Sequence, residues 1–443
     1  MKSMHCLLFG TLVSMTFLFA GGVQAQIEDS ADESIAGIPV NYTEAKAGDY
    51  TLPDPLKLAN GEPVRDAETW FEKRRPEIVK LFEANQYGRV PATAPKVTWE
   101  VVSTDANALD GVAIMKQLAG HMGSPDGPAI DVTLYTPAKA EKPVPALVSI
   151  SFNFSRMRMR RGNATSVPPR TVMGQAAAGR AGRGALGASR GPRVMRGGPA
   201  ELIAHGFAYA LITYNSIETD AEGQPNINIA RKLALAPGQT KPADDEWGAI
   251  AAWAWGISRF VDYLETDPAV DAKRVAITGV SRLGKTVMWA GAADTRIAMV
   301  IASCSGEGGA ALSRRDYGET VAHLTTPTRY PYQFCANYAT WADKVDEMPM
   351  DAHMLVALIG PRPVLLQTGN TDKWSDPKGE FLAAVAAGPV YELLGKEGLG
   401  TDQLPPAGEP ILHTLGFIMH AGGHGTVPPD WDVFLKFMET HLR

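Results

Sequence analysis

The chain has 443 residues, 45% hydrophobic and 20% charged, an ordinary globular composition with enough length for a large core. Its formal net charge of −6 argues against general nucleic-acid binding. Beyond the N-terminus no run is long and apolar enough to span a bilayer.

The N-terminus has the layout of a secretory signal. Lys2 supplies the positive end, CLLFGTLVSMTFLFAGG the apolar middle, and Val23-Gln24-Ala25 a small-x-small cleavage site. Residues 1–25 are therefore expected to be removed, and the mature protein to be secreted or periplasmic; an uncleaved anchor helix is the alternative. Two cysteines then remain, Cys304 and Cys335, whose pairing the sequence leaves open. Residues 26–62, rich in Asp, Glu, Pro and Gly, read as an extension that is partly disordered or draped over a catalytic domain spanning 63–443.

From Ala67 to about Gln86 the spacing of Trp70, Ile78, Leu81 and Phe82 predicts a helix. Runs starting at Val97, Val112 and Ala129 alternate as antiparallel strands do. From Ala146 onward apolar runs without alternation are interleaved with helical stretches. The strands are ALVSISFNF, the second half of ELIAHGFAYALITYN, then VAITGV, AMVIASCSG, RPVLLQTGN and FIMHAGGHG. The helices include Trp247–Leu264 and a final one at Trp431–His441. This order predicts a mostly parallel sheet covered on both faces, a three-layer αβα sandwich. Residues 155–198 break the pattern, with ten arginines and no acidic residue. They are expected to form a long basic loop, either a solvated insertion or a rim that attracts an acidic polymer.

The stretch that organises the rest is VAITGVSRLGKT, Val275 to Thr286. A strand ending in Gly279 delivers Ser281 to a sharp turn before a helix, which is how a nucleophile elbow is written and which predicts an α/β-hydrolase fold. The second glycine comes one residue late, at Gly284; an ordinary strand–helix turn with a capping serine is the plainer reading. A serine nucleophile needs a base and an acid, in the order Ser, acid, His on this fold. His424, between two glycines after the last strand, is the expected base, and His420, inside the strand, the packed one. Asp372 follows the penultimate strand and is the expected acid, while Asp376 before Pro377 suits a helix cap. Arg282 is placed to donate to an oxyanion, or to pair with a loop carboxylate. No metal-ligand spacing is present, and no cofactor is expected.

GVSRLGKT resembles the G-x-S-R-x-G-K signature of the glucuronoyl esterases, carbohydrate esterase family 15. WAWGISRFVDYLETD, SCSGEGGAALSRRDYGE, DAHMLVALIGPRPVLL, DKWSDPKGEF and GGHG with Asp430-Trp431 are similar to bacterial members, so the likeness covers roughly residues 65–443. It implies Ser281 as nucleophile, Arg282 as oxyanion donor, His424 as base, and Lys285, Gln333 and Trp374 as glucuronate-binding residues. Many members carry a glutamate where this chain has Cys304; Glu307 lies three residues later and is the alternative acid to Asp372. The resemblance implies a monomeric serine esterase acting on esters of (4-O-methyl-)glucuronic acid, with lignin-linked glucuronoxylan as the substrate. Other carbohydrate esterases of the same fold, such as acetyl- or feruloyl-xylan esterases, and a silent polysaccharide-binding homologue are the alternatives.

Overall fold

The computed structural model describes residues 27–152, 196–221 and 228–443. The expected signal peptide, and all of the arginine-rich segment up to residue 195, lie outside the described residues.

Twelve strands form among them. A hairpin of β1 (Glu33–Ile35) and β2 (Ile38–Val40) stands apart. Ten strands build one sheet: β3 (Val97–Asn107), β4 (Ala113–Met122), β5 (Ala129–Pro137), β6 (Val144–Ser151), β7 (Ala208–Thr213), β8 (Val270–Val280), β9 (Met299–Ser303), β10 (Val364–Gly369), β11 (Ile411–Leu412) and β12 (Leu415–His420). Their spatial order is β11-β12-β10-β9-β8-β6-β7-β5-β4-β3. From β7 across to β12 neighbours run parallel, whereas β3, β4 and β5 join antiparallel at one edge. The alternating runs thus become the half-wet edge and the unbroken apolar runs the covered centre, for the reason given by their patterns.

The helices that matter for the site are α1 (Arg75–Asn85), α2 (Pro199–Ala204), α3 (Ala249–Leu264), α4 (Arg282–Ala293), α5 (Ala352–Ile359), α6 (Pro377–Leu393) and α7 (Pro428–Leu442). Successive strand residues point to opposite faces, and two cores result. Val148, Ile277, Val300 and Leu366 face α3, α4, α5 and α6, while Leu147, Ala276, Ile301 and Leu365 face α2 and α7. That is the three-layer arrangement expected. The helix predicted from Trp247 begins two residues later, at Ala249, with Trp247 fully buried ahead of it. The helix predicted over 67–86 runs through a wider π-type turn at Trp70–Arg74 before α1.

Residues 27–62 are more ordered than their composition suggests. The turn residues Ala36 and Gly37 both have positive φ, 56° and 80°, as a two-residue hairpin turn requires. Val40 and Tyr42 are buried against Tyr317 of the main domain. No helix among the described residues is long and apolar enough to cross a membrane.

Candidate active site

The centre of the sheet brings the chemistry to one end, because parallel strands release their following loops on the same side. β8 ends at Val280, and Ser281 turns the chain into α4 with φ 62° and ψ −129°. A non-glycine residue there stores about 1–3 kcal/mol of strain. Two backbone hydrogen bonds hold it: Ser281 N–H donates to the Ser303 carbonyl at 2.9 Å, and Lys285 N–H to the Ser281 carbonyl at 3.0 Å. Both glycines of the motif are required by close approach. A Cβ on Gly279 would stand 2.4 Å from the Leu283 carbonyl oxygen, and one on Gly284 2.7 Å from that of Ser303. The late glycine therefore answers to β9, on which the first turn of α4 rests. Arg282 opens α4, so its N–H has no partner within the helix and is available at the turn.

The loop after β12 carries His424, whose side chain is 43% exposed and so accessible from the cleft. Its Nδ1 lies 2.7 Å from Asp372 Oδ2 and 3.3 Å from Ser375 Oγ. Asp372 sits in the loop after β10, its N–H bonded to the Gly369 carbonyl at 3.0 Å. Burial opposes ionisation of Asp372, but hydrogen bonds with His424, Ser375 and Cys304 outweigh it and hold the carboxyl below its ordinary value. An ionised carboxylate only accepts, so Nδ1 carries the proton of this pair. His420 is locked elsewhere, with Nδ1 2.9 Å from Asp430 and Nε2 3.0 Å from the Gly423 carbonyl.

Glu307 does not stand with His424. It is fully buried, and its Oε1 accepts from Ser313 and Tyr338, each at 2.7 Å. The structure brings Asp372, not Glu307, to the imidazole. The reason is local: Gly306 and Gly308, both with positive φ, turn the loop after β9 so that residue 307 points into the core. Cys304 stands beside the pair instead, its Sγ 3.3 Å from the Gly425 N–H. Burial pushes its thiol well above the ordinary range. Cys304 and Cys335 are both buried free thiols rather than a disulfide. Cys304 Sγ, Asp372 and His424 have ligand-type atoms within 4.8 Å of one another.

The cleft between these loops, about 80 Å3, is lined by Ser281, Arg282, Lys285, Gln333, Trp374 and His424, every residue singled out from sequence except the buried Asp372 behind His424 and Glu307. Larger grooves of about 930 and 970 Å3 lie elsewhere on the surface, away from Ser281 and His424. Lys285, only 5% exposed, is no helix-surface lysine: its Nζ donates to the Ser305 carbonyl at 2.8 Å and pairs with Glu319 at 3.3 Å. Arg282 makes the loop salt bridge that was its alternative reading, to Asp220 at 2.7 Å, with its guanidinium 4.6 Å from the Tyr330 ring centre. Burial opposes its charge, yet Asp220 keeps it firmly protonated. Asp220 also accepts from Tyr332 and, at 3.3 Å, from Gln333. Asp220 and Arg329 lie outside every motif read from the sequence, and Glu319 and Ser375, though inside SCSGEGGAALSRRDYGE and DKWSDPKGEF, were not singled out there; all four meet the site only through folding.

Comparison with known proteins bears on this geometry. Over 406 residues the chain is 41% identical to a carbohydrate esterase of an unknown prokaryotic organism, covering 91% of this chain and 92% of that one. The solved structure of a promiscuous esterase of carbohydrate esterase family 15 from a marine bacterial metagenome superimposes with a TM-score of 0.76 at 40% identity, covering 91% of this chain and all of that one. The chain belongs to carbohydrate esterase family 15. A glucuronoyl esterase from Solibacter usitatus is similar as well, at 43% identity and a TM-score of 0.78, over 90% of this chain and all of that one. A family model described as glucuronyl esterase of fungi matches residues 240–395, the segment from α3 through α6. The 4-O-methyl-glucuronoyl methylesterase of Phanerochaete carnosa is 27% identical over 81% of this chain and 74% of its own length. The family's α/β-hydrolase architecture accounts for the sheet order and for the elbow at its centre.

In this member of the family, buried Glu307 has a measurable consequence. Burial pushes its carboxyl up to about 7, against the hydrogen bonds from Tyr338 and Ser313. An unfolded glutamate titrates near about 4.3, so between there and about 7 the folded chain keeps a proton that the unfolded chain releases. The Glu307 contribution to stability therefore falls as pH rises through that window and is level above it. Glu307→Gln retains an acceptor oxygen for both hydroxyls and removes the titration. Its melting temperature is expected to drop less than wild type between pH 5 and pH 8, with activity within a few-fold of wild type. Thermal melts at the two pH values check this; equal drops would place the titration in another group.

Proposed function

We propose that this chain hydrolyses esters of glucuronic or 4-O-methyl-glucuronic acid, with the uronate as the acyl side, through an acyl-enzyme on Ser281. The observation that carries the reading is the Asp372–His424 hydrogen bond of 2.7 Å in a cleft that also holds Ser281 on its strained turn. Asp372 fixes the tautomer, leaving the other ring nitrogen, Nε2, to take the Ser281 proton as Oγ attacks the C6 carbonyl. The oxyanion is held by the Arg282 N–H at the start of α4 and by guanidinium N–H groups other than the one bonded to Asp220. The alcohol leaves with the proton from His424, and water, deprotonated by the same imidazole, attacks the acyl carbonyl and returns Ser281.

Recognition of the uronate follows from the cleft lining. Lys285 has three N–H donors; two are used by Ser305 and Glu319, and the third serves a ring hydroxyl. Gln333 adds an amide and Trp374 an aromatic wall of the kind sugars stack on. The names of the relatives support the acid: the fungal ones are 4-O-methyl-glucuronoyl methylesterases. We assign the natural ester to the junction of lignin and glucuronoxylan, and the site of action to outside the cytoplasm, directed by residues 1–25.

The test compares benzyl glucuronate with acetylated xylan at equal enzyme concentration. Release of benzyl alcohol from the uronate, at a kcat/KM well above that for acetate release, is expected. Faster acetate release would make the chain an acetyl-xylan esterase, and no hydrolysis of either would leave a binding protein.

A further inference from the structure

Trp374 is only half-buried, and a cleft wall of that kind keeps its shape only if something holds it from behind. What holds it is the N-terminal arm, residues 29–47. Two catalytic-face loops meet there: residues 313–323 after β9, which carry Glu319, and residues 372–378 after β10, which carry Asp372 and Trp374. The loops touch at the backbone. Glu319 N–H donates to the Trp374 carbonyl at 2.9 Å, and a Cβ on Gly318 would stand 2.4 Å from the Lys373 carbonyl oxygen.

The arm is fastened to the first loop along its length. Gly318 N–H donates to the Asn41 carbonyl at 2.9 Å, Asp316 N–H to the Ala47 carbonyl at 3.2 Å, and the Asn41 side-chain amide to the Asp316 carbonyl at 2.5 Å. Val40 and Tyr42 pack on Tyr317 in an apolar cluster that Ile35 and Trp374 complete. His323 Nε2 lies 3.4 Å from the Ile38 carbonyl, and its ring meets the Trp374 ring edge-on at 5.2 Å between centres. Glu44 ties the arm to the second loop as well. It bonds the Arg315 guanidinium and, at 2.5 Å, Lys378 Nζ. Arg315 in turn reaches Asp376, two residues beyond Trp374, at 2.8 Å.

Resting on the proposed function, we infer that the arm is a positioning element of the substrate site: Glu44 and Tyr42 hold Trp374 and its loop in the conformation that binds the uronate ring. Neither touches the reacting atoms. Their loss should weaken binding of the sugar, which is gripped alike in ground and transition states, and leave the chemistry at Ser281 alone. The signature is a raised KM at nearly constant kcat.

The variants are Glu44→Gln and Tyr42→Leu, assayed on benzyl glucuronate beside wild type. Glu44→Gln removes a partly exposed charge and leaves Arg315 its Asp376 partner, so no buried cation is orphaned and the fold persists. Each variant is expected to raise KM by roughly fivefold, with kcat within twofold. Glu44→Asp, which restores the charge, should recover part of the loss. Unchanged KM in either variant would overturn the inference, as would a fall in kcat at constant KM, since the arm would then act on the chemistry. A wild-type chain inactive on the uronate ester would sink the functional proposal itself. An active wild type with kinetically silent variants would sink the arm's role alone.

Discussion

Ser281→Ala is expected to lower kcat on a glucuronate ester by about a million-fold, to the residue of catalysis that binding and the oxyanion donors supply without a nucleophile. KM should move little, because the hydroxyl makes no part of the sugar's grip. The fold should survive, and with it Tm, since alanine keeps the two backbone hydrogen bonds that hold the turn. The strain of φ 62° stays in the variant, as any side chain with a Cβ shares it. Initial-rate kinetics over a wide range of enzyme concentration give the ratio. A loss of less than about a hundred-fold would mean that the ester is attacked by water directly, with Ser281 a bystander.

Asp372→Asn should cost about ten-thousand-fold in kcat. The size follows from the hydrogen bond, not from the charge alone. An ionised Asp372 accepts from His424 Nδ1–H at 2.7 Å and thereby leaves Nε2 unprotonated toward the cleft. An asparagine can turn its NH2 group to Nδ1, which draws the ring into the other tautomer and puts a proton on Nε2, where a base must have none. The imidazolium formed during attack also loses its counter-charge. Glu307→Gln is the control, because Glu307 serves Ser313 and Tyr338 instead. A large loss in Glu307→Gln with a small one in Asp372→Asn would reverse the assignment of the acid.

The two carboxylates show where sequence ends and folding begins. Both lie in loops that follow central strands, at the same end of the sheet, and on paper each reaches His424. What separates them is the backbone around Glu307, where two glycines in the left-handed region turn its side chain inward to hydroxyls from distant loops. Ser281 was legible because its constraint is local: Gly279 and Gly284 are demanded by contacts within the same strand–turn–helix unit and its neighbour β9. The sheet was legible because a strand covered on both faces carries consecutive rather than alternating apolar residues, as Ala146-Leu147-Val148 do in β6, Val275-Ala276-Ile277 in β8 and Val364-Leu365-Leu366 in β10. Asp220 carried no such mark. It gathers Arg282, Tyr332 and Gln333 from separate segments, and only the packed structure shows an acid there. The arm was read as partly disordered or draped over the domain, because its polar composition without period does not decide between the two; the structure shows it draped. Its order comes from Arg315, Tyr317 and Lys378, more than 250 residues away along the chain.

Labelling with a fluorophosphonate tests the proposed relay most directly. Such a reagent phosphonylates a serine only when a neighbouring base takes its proton, and peptide mapping then names the serine. Wild type and Glu307→Gln should be labelled on Ser281 at similar rates, and Asp372→Asn hundreds of times more slowly. Label on another serine, or Asp372→Asn reacting as fast as wild type, would contradict the account.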